Sequence, residues 1–201
     1  MKQPVILKGS HRSNGQSSQY IDQLVEELKK NEIYPQVYDI NRLTVKPCID
    51  CSVCSNSYGK CVHDDDMESV YEALRATDVL IVASPVYFNG ITSKLKQLVD
   101  RCQMIFICDF KHGRPYVDNT VSETKQGYVI SMGGANAYTD QFTGNALSLG
   151  LVFRNLRMPL TEHFTYAGTD HSEVLSRNEA KDDIEKIVQN LKDFYQRVGE
   201  K

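Results

Sequence analysis

Val5-Ile6-Leu7-Lys8-Gly9-Ser10-His11-Arg12-Ser13-Asn14-Gly15-Gln16-Ser17-Ser18 decides the reading of the fold. A short apolar strand pattern gives way to a polar loop. From about Ser18 onward Tyr20, Ile21, Leu24, Val25 and Leu28 then recur at helical spacing. Lys29-Lys30-Asn31 ends that helix with positive charge, which suits the negative end of a helix dipole. Hydroxyls, amides and one Arg at a helix N-terminus make a pocket for a phosphate. The first backbone N–H groups of a helix have no partner within it, and the dipole favours an anion there.

The strand-then-loop pattern returns twice. Val79-Leu80-Ile81-Val82-Ala83 runs into Ser84-Pro85-Val86-Tyr87-Phe88-Asn89-Gly90, an aromatic surface on flexible backbone. Tyr128-Val129-Ile130 runs into Ser131-Met132-Gly133-Gly134-Ala135, where paired glycines let a flat ring approach the main chain. Further strands are expected at Gln36 to Ile40 and near Glu162 to Tyr166. Helices are predicted around Val70 and Leu74, over Ile91 to Cys102, around Asn145 to Leu156, and along the stripe Ile184, Ile187, Val188, Leu191, Phe194, Val198. Asp65 and Glu68 resemble a capping box opening the first of these. The segment from Cys108 to Glu123 reads as a polar excursion. Five strands alternating with helices predict an α/β fold, a doubly wound five-stranded parallel sheet in three layers, with ligands at the carboxyl ends of the strands. All three loops fall on that edge.

At 201 residues with 41% hydrophobic content, one domain over 1–201 is expected, carrying an irregular cysteine-rich loop at about 43–66. A net charge of -3 with scattered basic residues suggests neither a nucleic-acid groove nor an anionic membrane surface. No apolar run approaches the roughly 20 residues that cross a bilayer, so a cytoplasmic location is expected. In that compartment cysteines read as thiols or ligands rather than disulfides.

The phosphate ligand is narrowed by what the first loop lacks. It has no Gly-x-x-x-x-Gly-Lys-Ser/Thr, so the lysine and hydroxyl of a nucleotidase are missing. Nor is it Gly-x-Gly-x-x-Gly with an acidic residue after the second strand, as a dinucleotide would need. A single terminal phosphate remains, as in FMN. At these residues the chain resembles the NADPH-dependent FMN reductase-like family of the flavodoxin-like superfamily. Gly9-Ser10-x-Arg12 through Ser17 resembles its phosphate loop, Ser84 to Phe88 its flavin loop, and Gly133-Gly134 its third loop. The resemblance implies an FMN phosphate held by Ser10, Arg12 and Ser17 with neighbouring Ser13, Asn14 and Gln16. It implies an isoalloxazine lying along Pro85, Val86, Tyr87, Phe88, Asn89 and Gly90, near Gly133 and Gly134. His11 stands where that family often has a proline or small residue, and Ser17 where it often has Thr; neither change removes a needed hydroxyl or charge.

Cys48-Ile49-Asp50-Cys51-Ser52-Val53-Cys54, with Cys61 six residues on, gives four thiols that can surround one iron–sulfur cube. The spacing is similar to that of the iron–sulfur flavoproteins of the same superfamily, in which a [4Fe-4S] cluster sits near FMN and passes single electrons. Redox-active or merely inherited thiols, and a tetrahedral zinc, are the other readings. His63 is read as a surface histidine, and Cys102 and Cys108 as small buried apolar groups.

FMN itself accepts a hydride and returns electrons singly or in pairs, so no side-chain acid or base is required. His112, His163, His171 and Asp140 are therefore not assigned to catalysis, whereas Tyr87, Phe88 and Tyr138 are expected to shape the face on which substrates stack. The expected function is an FMN-dependent oxidoreductase passing electrons from NAD(P)H, a transient co-substrate, to a flavin, quinone or similar acceptor. Alternatives are a one-electron carrier with a ferredoxin-like partner, and a non-enzymatic thiol or metal redox sensor. The resemblance also implies a homodimer or homotetramer.

Overall fold

The strands β1 (Val5–Lys8), β2 (Gln36–Asp39), β3 (Val79–Pro85), β4 (Gln126–Met132) and β5 (Leu160–Tyr166) pair in parallel, in the order β2-β1-β3-β4-β5. The structure is a computed structural model and describes residues 2–118 and 124–199. Its helices are α1 (Gln16–Lys30), α2 (Val53–Asn56), α3 (Met67–Ala76), α4 (Ser93–Arg101), α5 (Gln103–Phe110), α6 (Thr143–Asn155) and α7 (Asn178–Gly199). Side chains alternate across a strand, so Val5, Leu7, Leu80, Val82 and Val129 enter one core with α3, α4, α5 and α6. Ile6, Ile81, Ala83, Tyr128 and Ile130 enter the other with α1 and α7. Both faces are covered, which is why β1 and β3 read as unbroken apolar runs. The strand order is the flavodoxin-like one, with its switch point between β1 and β3, and the doubly wound sheet expected from the sequence is present. Among the described residues no helix is long and apolar enough to cross a membrane.

Three local expectations are corrected. Cys108 does not begin a polar excursion: Cys108, Asp109 and Phe110 end α5, whose Met104-Ile105-Phe106-Ile107 run is too uniformly apolar to display a helical stripe. Residues 119–123 of that excursion lie outside the described residues. Asp65 and Glu68 do not form a capping box. Asp65 Oδ1 does accept from Met67 N at 3.1 Å, but Oδ2 takes Lys46 N at 2.8 Å and Arg101 Nη1 at 2.7 Å, so the carboxylate ties three segments together. Inside the cysteine-rich stretch the four-residue helix α2 appears, too short to show periodicity.

Candidate active site

The loop between β1 and α1 is held from behind. Gly9 N donates to Ala83 O at 2.7 Å, and a Cβ on Gly9 would lie 2.6 Å from that oxygen and 2.7 Å from Leu95 Cδ2. Thr92 Oγ1 donates to Gly9 O at 2.7 Å while accepting from Leu95 N as the N-cap of α4. Ser10 Oγ accepts from Arg12 N at 3.0 Å, and Ser18 Oγ donates to Arg12 O at 2.8 Å. Ser18 and Gln19 turn their N–H groups to Gly15 O. Gln16 and Ser17, the first two helical residues, thus present the unclaimed amides of α1. Arg12 is exposed beside them and makes no ion pair among the described residues.

After β3 the chain reverses at Phe88 and Asn89. Tyr87 and Gly90 exchange both backbone bonds, at 2.9 and 3.0 Å, and the two residues between them have φ of 49° and 57°. Two successive left-handed residues without glycine make a primed turn that costs local strain, the kind of conformation that surroundings must enforce. The surroundings do so: Tyr138 OH donates to Asn89 Oδ1, and α6 lies so close that a Cβ on Gly144 would be 1.8 Å from Asn89 O. Tyr87 stacks on His11, ring centroids 6.1 Å apart at 14°, while Phe88 projects fully into solvent.

The third loop is zipped to the segment after β5. Gly133 N donates to Tyr166 O, Thr169 N to Gly133 O, Asp170 N to Gly134 O and Gly168 N to Ala135 O, all between 2.7 and 3.1 Å. The glycines serve neighbours on this chain: a Cβ on Gly133 would meet the Gln141 amide, and one on Gly134 the Asp170 carboxylate. Gln16 is engaged there too, its Oε1 accepting from Val174 N at 2.6 Å and its Nε2 donating to Thr169 O. Behind the loop, Ser131 Oγ bonds Asn145 Nδ2 at 3.0 Å and His163 Nε2 at 2.8 Å.

These loops enclose a cleft of about 400 Å³ at the carboxyl edge of the sheet. Of the residues singled out from the sequence, Ser10, Arg12, Gln16, Ser17, Pro85, Val86, Tyr87 and Gly134 line it. Ser13, Asn14, Phe88, Asn89, Gly90 and Gly133 flank it without lining it. Gly15, Met132 and Ala135, members of the first and third loops, line it as well, and so do Thr169 and Asp170, which were not anticipated. A signal for the last two exists in Ala167-Gly168-Thr169-Asp170, a turn-rich segment following the fifth strand on the ligand-binding edge.

A second, smaller pocket of about 50 Å³ is lined by all four clustered cysteines, together with His63, Arg101, Met104 and Ile107. Asp50 and Ser52 adopt positive φ, 50° and 61°, so the cysteine loop is wound tightly between its thiols. Burial, aided by the charges of Cys61, Cys48 and Cys51, raises the Cys54 thiol above its ordinary pKa. Among the described residues no three Cys, His, Asp or Glu side chains are arranged to hold one metal ion. The four thiols around this hollow are the soft donors that an iron–sulfur cube or a tetrahedral zinc takes. His63 Nε2 donates to Pro47 O at 3.0 Å, and His112 Nε2 to Cys54 O at 3.0 Å. Cys102 and Cys108 are buried in the core, as expected; burial pushes Cys102 up to about 12.

The family model for NADPH-dependent FMN reductase matches residues 3–171. The chain belongs to that family. An iron-sulfur flavoprotein of Methanocaldococcus jannaschii is 30% identical over 128 residues, covering 64% of this chain and 60% of the relative. One from Methanosarcina thermophila is 31% identical over 129 residues, 64% and 62% of the two chains. The chain thus spans about three fifths of the length of these curated relatives. Among solved structures, RosB with the bound intermediate 8-demethyl-8-formylriboflavin-5'-phosphate superposes with a TM-score of 0.66 at 17% identity, over 100% of this chain and 81% of the other, a likeness of fold. FMN reductase family membership agrees with the resemblance carried by the three loops.

Proposed function

We propose that the chain is an FMN-dependent oxidoreductase that takes electrons from NAD(P)H and passes them to a flavin, quinone or similar small acceptor. The observation that carries this reading is the juxtaposition, in one cleft, of the unclaimed α1 amides, Arg12 and the Tyr87 loop. When bound, FMN supplies the hydride and electron chemistry. The chain's part is binding and orientation. The Gln16 and Ser17 amides with the Ser10 and Ser17 hydroxyls suit a phosphate dianion, Arg12 adds a charge, and Pro85, Val86 and Tyr87 form a wall for a flat ring. Replacing Arg12 by Ala is expected to weaken FMN about tenfold, the scale of one exposed charge-assisted bond, and to lower reductase activity at limiting FMN by about the same factor. Equilibrium titration with flavin fluorescence checks this, and an unchanged dissociation constant would overturn the phosphate-loop assignment.

The cysteine pocket favours a second reading, an iron–sulfur flavoprotein exchanging single electrons with a ferredoxin-like partner. Four soft donors around one hollow suit a [4Fe-4S] cluster held by Cys48, Cys51, Cys54 and Cys61. Protein purified without oxygen should then contain about four irons and as much acid-labile sulfide per chain; absence of both would sink it.

A further inference from the structure

The cysteine pocket contains a charge that cysteine chemistry alone does not explain. Arg101, the last residue of α4, is 2% exposed. Its Nη1 donates to Asp65 Oδ2 at 2.7 Å and Lys46 O at 2.9 Å, and its Nη2 to Asp65 Oδ1 at 3.2 Å. Its Nε is buried and has no partner. An orphaned donor on a buried cation is rare, because the desolvation cost is not recovered. Arg101 lines the pocket with all four cysteines, and Asp65 does not. The ion pair therefore presents its positive member to the thiols.

We propose that Arg101 is a positioning residue for the iron–sulfur group of the second reading, with Nε donating to a ligand sulfur and the guanidinium charge raising the reduction potential. Four thiolates around a cube leave it net negative, and taking up one electron adds one further negative charge. A fixed cation that is itself buried, beside thiols of which Cys48 and Cys51 are exposed, stabilises that reduced form more than the oxidised one. Asp65 moderates the effect by offsetting part of the cation's charge, and holds the guanidinium plane by two bonds.

The inference rests on the cysteines being cluster ligands, and the experiment separates the two claims. Iron and acid-labile sulfide are measured first on anaerobically purified protein, followed by a redox titration monitored by electron paramagnetic resonance. The midpoint should move to more negative values in the Arg101→Met, Asp65→Asn double variant, move less in Arg101→Lys, and move to more positive values in Asp65→Asn alone. Opposite signs for two neighbours in one ion pair are not produced by a merely structural role. Where the double variant fails to fold or to load iron, Asp65→Asn decides by the direction of its shift. Iron present with an unmoved or negatively shifted midpoint in Asp65→Asn overturns the role of Arg101. No iron in the wild-type protein overturns the cluster reading and this proposal with it.

Discussion

Glycines on α6 show how differently one residue type is used within one helix. Gly144 supports the aromatic turn, since any Cβ there would collide with Asn89 O at 1.8 Å, backbone that cannot swing aside. Gly150, three residues before Phe153 on the same helix, has nothing within 4 Å of its Cβ position. Gly144→Ala is therefore expected to destabilise by about 1–3 kcal/mol, as overpacking does, and to loosen FMN. Gly150→Ala should stabilise by about 0.5–1 kcal/mol through helix propensity. Urea unfolding of both variants checks the pair, and equal effects would contradict the close approach. The sequence made the loop glycines visible but not their purpose. Gly133 and Gly134 read as openings for a ring, whereas the chain's own Gln141 and Asp170 occupy the space beside them, contacts that need the third dimension to appear.

At the level of elements, β5 lies at the sheet edge, and Glu162 and His163 are its half-buried polar members. Burial holds the His163 imidazole below its ordinary pKa, and the neutral ring meets Ser131 Oγ. The unfolded chain takes up a proton as pH falls through about 6.5, before the folded protein does, so acid favours unfolding. His163→Gln should reduce the loss of stability below about pH 6.5 relative to wild type; parallel stability curves for the two proteins would refute the assignment. This edge position also explains why β5 was legible only in part: with its outer face uncovered, Leu160-Thr161-Glu162 lacks the apolar continuity of β1 and β3. The opposite fault hid α5, whose apolar run carries no polar face to mark its period.

For the whole molecule, the strand-helix alternation carried the topology, because each parallel strand needs a crossover and the twist of the chain allows few arrangements. The cysteine spacing likewise brought four thiols to one pocket. The Arg101–Asp65 tie beside them, spanning 36 residues, leaves no pattern in a linear reading. Phe110, Leu147 and Leu151 are exposed on α5 and α6, and a groove of about 460 Å³ lined by Phe106, Leu151 and Val152 runs between these helices and α4. The homodimer or homotetramer that the resemblance implies would use this face, and sedimentation should then show Leu151→Glu shifted toward monomer; a wild-type monomer at micromolar concentration would exclude it.

The third loop and the segment after β5 are joined through main-chain groups alone, and this has an evolutionary side. Bonds from Gly133, Thr169, Asp170 and Gly168 hold the cleft wall in shape whatever side chains stand at 169 and 170. Those two positions can therefore be exchanged by mutation while the backbone of that wall persists. Descendants of one ancestral sequence can drift toward new ligands there without first surrendering a folded protein.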